Sequence, residues 1–263
     1  MPQGTASTTV PGASEISRQR FRVESGHKRV RAYLDGELVV DSTRPTLVWE
    51  KPMYPTYYFP LDDVRAELRD TGQLEHSPSR GDAHVLDVAV GTATALAGAR
   101  QHRESPIAQL VGLVKFEWDA MSEWLEEDEP VYTHPRDPYT RVDILASSRQ
   151  VLVELDGIVV AQTDRPLILF ETGLPPRYYI PLSHIRGTLL RPSLTVTHCP
   201  YKGAATYWSV DTGVRVHTDV LWTYRSPLPE SQKIAGLASF YDERVDLYVD
   251  GVLQARPRTV FSR

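Results

Sequence analysis

The chain carries one cysteine, Cys199, in 263 residues. A single thiol excludes a disulfide within the chain and the Cys-rich zinc sites that pin many small β domains, and it makes a reducing, cytoplasmic setting the expectation. Long apolar runs are also missing. None approaches the roughly 20 residues that cross a bilayer as a helix, so no membrane partner is expected. The first twenty residues, MPQGTASTTVPGASEISRQR, lack the apolar core of a secretory signal. A basic excess is absent too: 29 Lys and Arg stand against 34 Asp and Glu, a net charge of −5. That balance speaks against nucleic acid, which selects for a cationic face.

What is present begins with uneven charge. The acidic excess lies in the first half and is densest over Glu123–Glu129, a run that reads as a solvated face or linker. The second half is slightly positive and would tolerate an anionic small ligand.

The chain repeats itself. LDGELVVDSTRPTLVWEKPMYPTYYFPLDDVRAEL from Leu34 matches LDGIVVAQTDRPLILFETGLPPRYYIPLSHIRGTL from Leu155 without a gap. Identities include Asp35/Asp156, Gly36/Gly157, Arg44/Arg165, Glu50/Glu171, Tyr57/Tyr178, Tyr58/Tyr179, Pro60/Pro181 and Arg65/Arg186. Gly and Pro recur where the backbone needs special dihedrals, so turns are shared as well as composition. HSPSRGDAHVLDV at His76 then aligns with HCPYKGAATYWSV at His198, and GLVKF at Gly112 with GLASF at Gly236. The expected organisation is a disordered N-terminus (1–20), a first, diverged repeat (21–129), a Pro-rich linker (130–141), a second repeat with all its motifs (142–251) and a short basic tail (252–263). The two repeats are expected to pack together.

Within each repeat the period is that of strands. Asp35-Gly36 and Asp156-Gly157 each join two alternating runs as a hairpin turn, and Val245–Val249 ends at a further Asp-Gly. Gly213–Val216 and Val220–Tyr224 read as further strands. Pro60–Leu68 and Pro181–Leu189 carry the one helical signal, with Val64/Leu68 and Ile185/Leu189 as apolar i, i+4 pairs. The fold class is mainly β, with one or two short helices per repeat.

Three segments of the second repeat stand out: Glu171 followed by Tyr178-Tyr179-Ile180-Pro181, then Cys199-Pro200-Tyr201-Lys202-Gly203, then Trp222-Thr223-Tyr224. With the closing Gly236–Phe240 run, these spaced motifs resemble domain-of-unknown-function family 427, also labelled nucleotidyltransferase-like. The likeness is close over 150–251 and looser over 28–125. It implies two tandem β-tent (Mss4-like) domains, the fold of methionine sulfoxide reductase B and of the thalidomide-binding domain of cereblon. Relatives with that fold often hold zinc in two Cys-x-x-Cys pairs, which this chain lacks. The first repeat departs from the pattern: Ser77-Pro78-Ser79-Arg80-Gly81 replaces the Cys-Pro-Tyr-Lys-Gly turn, and no Trp-x-Tyr follows.

The candidate catalytic residues are Glu171, His198, Cys199 and Lys202. Glu171 reads as a general base or ligand anchor, or as a structural acid paired with Arg186, as Glu50 would be with Arg65. Cys199, next to His198 and close to Lys202, reads as a thiolate nucleophile or as a small buried hydrophobe. Lys202 reads as an anion ligand or a surface residue of a β-turn. Tyr178, Tyr179, Tyr207, Trp208, Trp222 and Tyr224, with Arg186, are the candidate ligand-binding set; they wall a pocket for a planar or anionic molecule or pack a small core. His184 and His198 lack a third ligand, so neither a metal nor a cofactor is expected. Two functions remain open: a small-molecule binder, with group transfer or hydrolysis as its enzymatic form, and a structural or protein-interaction module.

Overall fold

The computed structural model describes residues 22–259, 261 and 262. The expected disordered segment 1–20 lies outside them. The chain divides into two compact units between Ser122 and Glu123, both mainly β.

The first unit contains β1 (Val23–Ser25), β2 (Val30–Leu34), β3 (Glu37–Ser42), β4 (Thr46–Lys51), β5 (Tyr54–Pro60), β6 (Glu67–Ser77), β7 (Gly81–Val90), β8 (Ala93–Gln101) and β9 (Leu113–Phe116). Seven of these form an antiparallel sheet in the order β1-β4-β5-β9-β8-β7-β6, and β2 and β3 form a hairpin. The second unit opens with the short hairpin β10 (Glu123–Glu126) and β11 (Glu129–Pro130). It continues with β12 (Val142–Ala146), β13 (Val151–Leu155), β14 (Ile158–Thr163), β15 (Leu167–Glu171), β16 (Arg177–Pro181), β17 (Leu190–Cys199), β18 (Gly203–Asp211), β19 (Val216–Thr223), β20 (Leu237–Phe240), β21 (Asp246–Val249) and β22 (Val252–Leu253). Its large sheet runs β12-β15-β16-β20-β19-β18-β17, and a smaller one runs β14-β13-β21-β22. Matched strand for strand through the repeat, the two seven-stranded sheets have the same order.

Asp-Gly turns close the hairpins because both central residues must take positive φ. Asp35 and Gly36 sit at φ 51° and 84°, Asp156 and Gly157 at 52° and 74°, Asp250 and Gly251 at 52° and 78°. The main core of the second unit fills the space between its two sheets. Val151, Val153, Leu155, Leu247 and Val249 of the small sheet meet Ile180, Val210, Leu221, Ala238 and Phe240 of the large one. Each such side chain removed from water contributes about 1.5–3 kcal/mol before conformational entropy is counted. The large sheet is therefore buried on one face by the small sheet. Its opposite face carries a second cluster, Ile144, Leu169, Tyr179, Ala205, Tyr207, Trp222, Tyr224 and Ile234.

The short helices expected at Pro60–Leu68 and Pro181–Leu189 are present as 3-10 turns. Single 3-10 turns occupy Leu61–Asp63, Leu182–His184 and Gly187–Leu189, and there is no α-helix among the described residues. Val64 and Ile185 leave the turn at once in extended conformation and bridge to Val40 and Ala161. The next amides, of Arg65 and Arg186, donate to the carbonyls of Val39 and Val160. A β-branched residue beside an open strand edge gains more by extending than by completing a helical turn. Gly213–Arg215, expected as strand, is the turn before β19.

Candidate functional site

Strand alternation decides which sequence-predicted residues meet. Tyr178 and Tyr179 are neighbours, as are Tyr207 and Trp208, so one of each pair must face each way. Tyr179 and Tyr207 join Trp222 and Tyr224 on the outer cluster, while Tyr178 and Trp208 pack against the inter-sheet core. Register sets the outer residues in a row: Leu167 opposes Tyr179, Tyr179 opposes Ser239, Ser239 opposes Trp222 and Trp222 opposes Tyr207.

At one end of this face the Lys202 ammonium donates to Glu171 Oε2 at 2.5 Å, with both side chains about nine-tenths buried. Lys202 belongs to the turn after β17, whose amide closes onto the Cys199 carbonyl. The Lys202 carbonyl accepts from the Leu228 amide, and the Tyr201 carbonyl accepts from the Ser231 hydroxyl, so the turn is tied on two sides. Glu171 is thus paired with Lys202. Arg186, the partner weighed from sequence, is exposed and donates to the Val159 carbonyl. Arg65, the matching partner weighed for Glu50, is replaced there by Tyr58 and Lys115.

Around the pair, the Trp222 indole donates to the Tyr179 hydroxyl at 3.2 Å with the rings edge to face. Tyr207 hydrogen bonds Thr197 and Tyr241 through its hydroxyl. Burial raises the Tyr179 and Tyr224 phenols well above the ordinary range, and Glu171 and Cys199 lie close enough to both to add to the rise. Cys199 is half-buried. The hydroxyl of Ser239, a residue 0% exposed, has no hydrogen-bond partner among the described residues. His198 is exposed, its ring tilted against that of Tyr132 with centroids 4.9 Å apart. His184 bonds Thr163 and Arg165 at a separate place.

Next to Trp222 is a second charged group that sequence reading missed. Arg177 makes a two-pronged pair with Glu243 at 2.9 and 2.6 Å and lies 3.5 Å from Asp242. Its guanidinium also stands over Trp222 and Phe261, and Thr259 donates to Glu243. Burial pushes the Asp242 carboxyl up to about 7 despite the opposing pull of Arg177. Arg177 went unread because Asp242 and Glu243, far along the chain, become its neighbours only in the folded unit.

The same face of the first unit is also polar. Tyr58 and Lys115 both donate to Glu50, at 2.5 and 2.9 Å, and Arg80 lies 3.7 Å from the same carboxylate. Arg80 aligns with Lys202, so the acid–cation pair is kept with arginine for lysine. Burial alone would raise Glu50, but Lys115, Tyr58 and Arg80 together hold it below its ordinary value. His102, where the second unit has Tyr224, stacks on Tyr58 and is kept below the ordinary imidazole range by burial.

Two hollows of the second unit, of about 260 and 410 Å³, lie elsewhere: Gln150 and Gln162 line both, with His184 at one and Tyr248 at the other. Among the described residues no three His, Cys, Asp or Glu side chains are placed to hold a metal ion, and no helix is long and apolar enough to cross a membrane.

Two mainly β units with one strand order, each with a buried acid–cation pair on the outer face of its large sheet, define a tandem-repeat protein. The family model described as a domain of unknown function, DUF427, matches residues 22–127 and again 143–251, and the chain belongs to that family. No curated protein matches the chain.

Proposed function

We propose that the second unit binds a small planar or anionic molecule on the outer face of its large sheet. The observation that carries this reading is the pairing of a buried charge couple with an unmet hydroxyl on one aromatic wall. Glu171 and Lys202 each keep hydrogen-bonding capacity beyond the bond they share. The Ser239 hydroxyl, set between Tyr179 and Trp222 on the same face, has no partner among the described residues, and a buried hydroxyl left unpaired costs about 1–3 kcal/mol. Trp222 and Tyr179 supply the flat apolar surface. Lys202 would meet negative charge; in an enzymatic form Glu171 would take a proton during group transfer or hydrolysis. A β-tent architecture belongs to this proposal, supported by the antiparallel sheet-on-sheet build of the second unit.

The test is a thermal-shift and tryptophan-fluorescence screen of the full chain against nucleotides, nucleobases and aromatic carboxylates. A supporting hit raises the melting temperature saturably and is lost in Lys202→Met and Glu171→Gln. If the panel moves neither signal, the face is packing, and the structural-module reading takes its place. Slow, pH-insensitive alkylation of Cys199 in the native chain would remove covalent catalysis.

A further inference from the structure

The repeat keeps its backbone register while exchanging side chains at the site. Arg100 opposes Lys115 across β8 and β9 as Trp222 opposes Ser239 across β19 and β20, and two residues further along, Glu117 stands where Tyr241 does. An aromatic and hydroxyl wall in one unit is thus a charged one in the other. Arg100, Lys115 and Arg80 are each less than one-fifth exposed, too buried for ordinary surface cations.

Arg100 and Lys115 keep donors that no partner uses among the described residues. Lys115 uses one of three N–H donors, on Glu50. Arg100 donates through Nε to Glu75 and through Nη1 to the Ala97 and Ala99 carbonyls, leaving Nη2 without a partner among the described residues. Glu117 completes the picture. Its carboxylate lies 4.0 Å from Nη1 of Arg100, the nitrogen next to the spare Nη2, and 3.9 Å from Nζ of Lys115, within Coulomb range of both yet hydrogen-bonded to neither, and it is 43% exposed. It is a counter-charge that can leave for solvent at small cost.

We propose that the first unit holds a second, chemically distinct site that takes an oxyanion, a carboxylate or phosphate group, on the spare donors of Arg100 and Lys115, with Glu117 as the displaceable placeholder. Glu50, fixed by Tyr58 and Arg80, keeps the Lys115 ammonium in place. The one free guanidinium nitrogen, Nη2 of Arg100, and the ammonium beside it can each meet one oxygen of a planar or tetrahedral anion. This site is independent of the one proposed on the second unit.

The experiment is calorimetric titration of the full chain at constant ionic strength with inorganic phosphate in one arm and succinate in the other. Either arm binding saturably supports the site, and the arm that binds names the class. Arg100→Gln should weaken that binding at least tenfold. Glu117→Gln, on an exposed residue and so safe for folding, should tighten it at least threefold by removing the competing carboxylate. Lys202→Met should leave it intact, which separates this site from the second unit's. No saturable binding in either arm, or affinity that Glu117→Gln leaves unchanged or weakens, overturns the proposal. So does binding that Lys202→Met abolishes.

Discussion

Burial holds Asp242 up to about 7 while Arg177, 3.5 Å away, already has Glu243 as its closer partner. A carboxyl raised in the folded state contributes stability below its ordinary value near 4, and that contribution is lost as pH rises through about 7. The groups facing it are Arg177, Glu243 and Tyr178. Asp242→Asn keeps the shape and removes the titration. Urea denaturation should show the variant level with the parent near pH 4 and more stable by about 2–4 kcal/mol at pH 8. Equal stability at both pH values would show that Asp242 ionises freely in the folded chain. The Glu171–Lys202 pair behaves differently. Lys202→Met strands a buried carboxylate and should cost about 3 kcal/mol, and adding Glu171→Gln should recover most of that loss. Additive losses in the double variant would mean that the two side chains are not coupled.

Among the elements, β8 and β19 carry matching irregularities. Each pairs through a register shift, between Leu86 and Val88 and between Trp208 and Val210. Each also has a non-glycine residue in the left-handed region, Ala97 at φ 51° and Asp219 at φ 49°. The Ala97 amide donates to Asp87 and the Asp219 amide to Ser209, which fixes both bulges. Alanine pays about 1–2 kcal/mol for this conformation and glycine almost nothing, although glycine loses more entropy on folding. Ala97→Gly at this exposed position should therefore stabilise the chain by up to about 1 kcal/mol, read as a higher urea midpoint. Destabilisation would show that the alanine methyl packs against something that matters.

Across the whole molecule, the sequence made the duplication, the Asp-Gly hairpins and the β class plain, because those depend on local turn chemistry and a period of two. It also picked out Glu171, Lys202 and Tyr179, which lie together. It did not sort Tyr178 from Tyr179 or Tyr207 from Trp208 into faces, since that needs only alternation but had to be applied to each strand. It missed Arg177 with Asp242 and Glu243, and Arg100 with Lys115, because residues far apart in the chain become neighbours only through strand register. The first repeat looked depleted because its motif residues are replaced. Its polar groups are changed in kind, with His102 for Tyr224 and Lys115 for Ser239. At this scale the two proposed sites predict separable behaviour: an aromatic carboxylate that quenches tryptophan fluorescence should lose its effect in Lys202→Met and keep it in Arg100→Gln. Loss in both variants would point to a single shared response.

The common register has an engineering meaning. Exchanging Arg100, Lys115 and Glu117 for Trp, Ser and Tyr would rewrite one wall in the image of the other without disturbing a single main-chain ladder bond. Gene duplication on such a scaffold leaves the framework as ballast and the outward-facing row as free coinage, so each half can wander in chemical taste while its twin preserves the original.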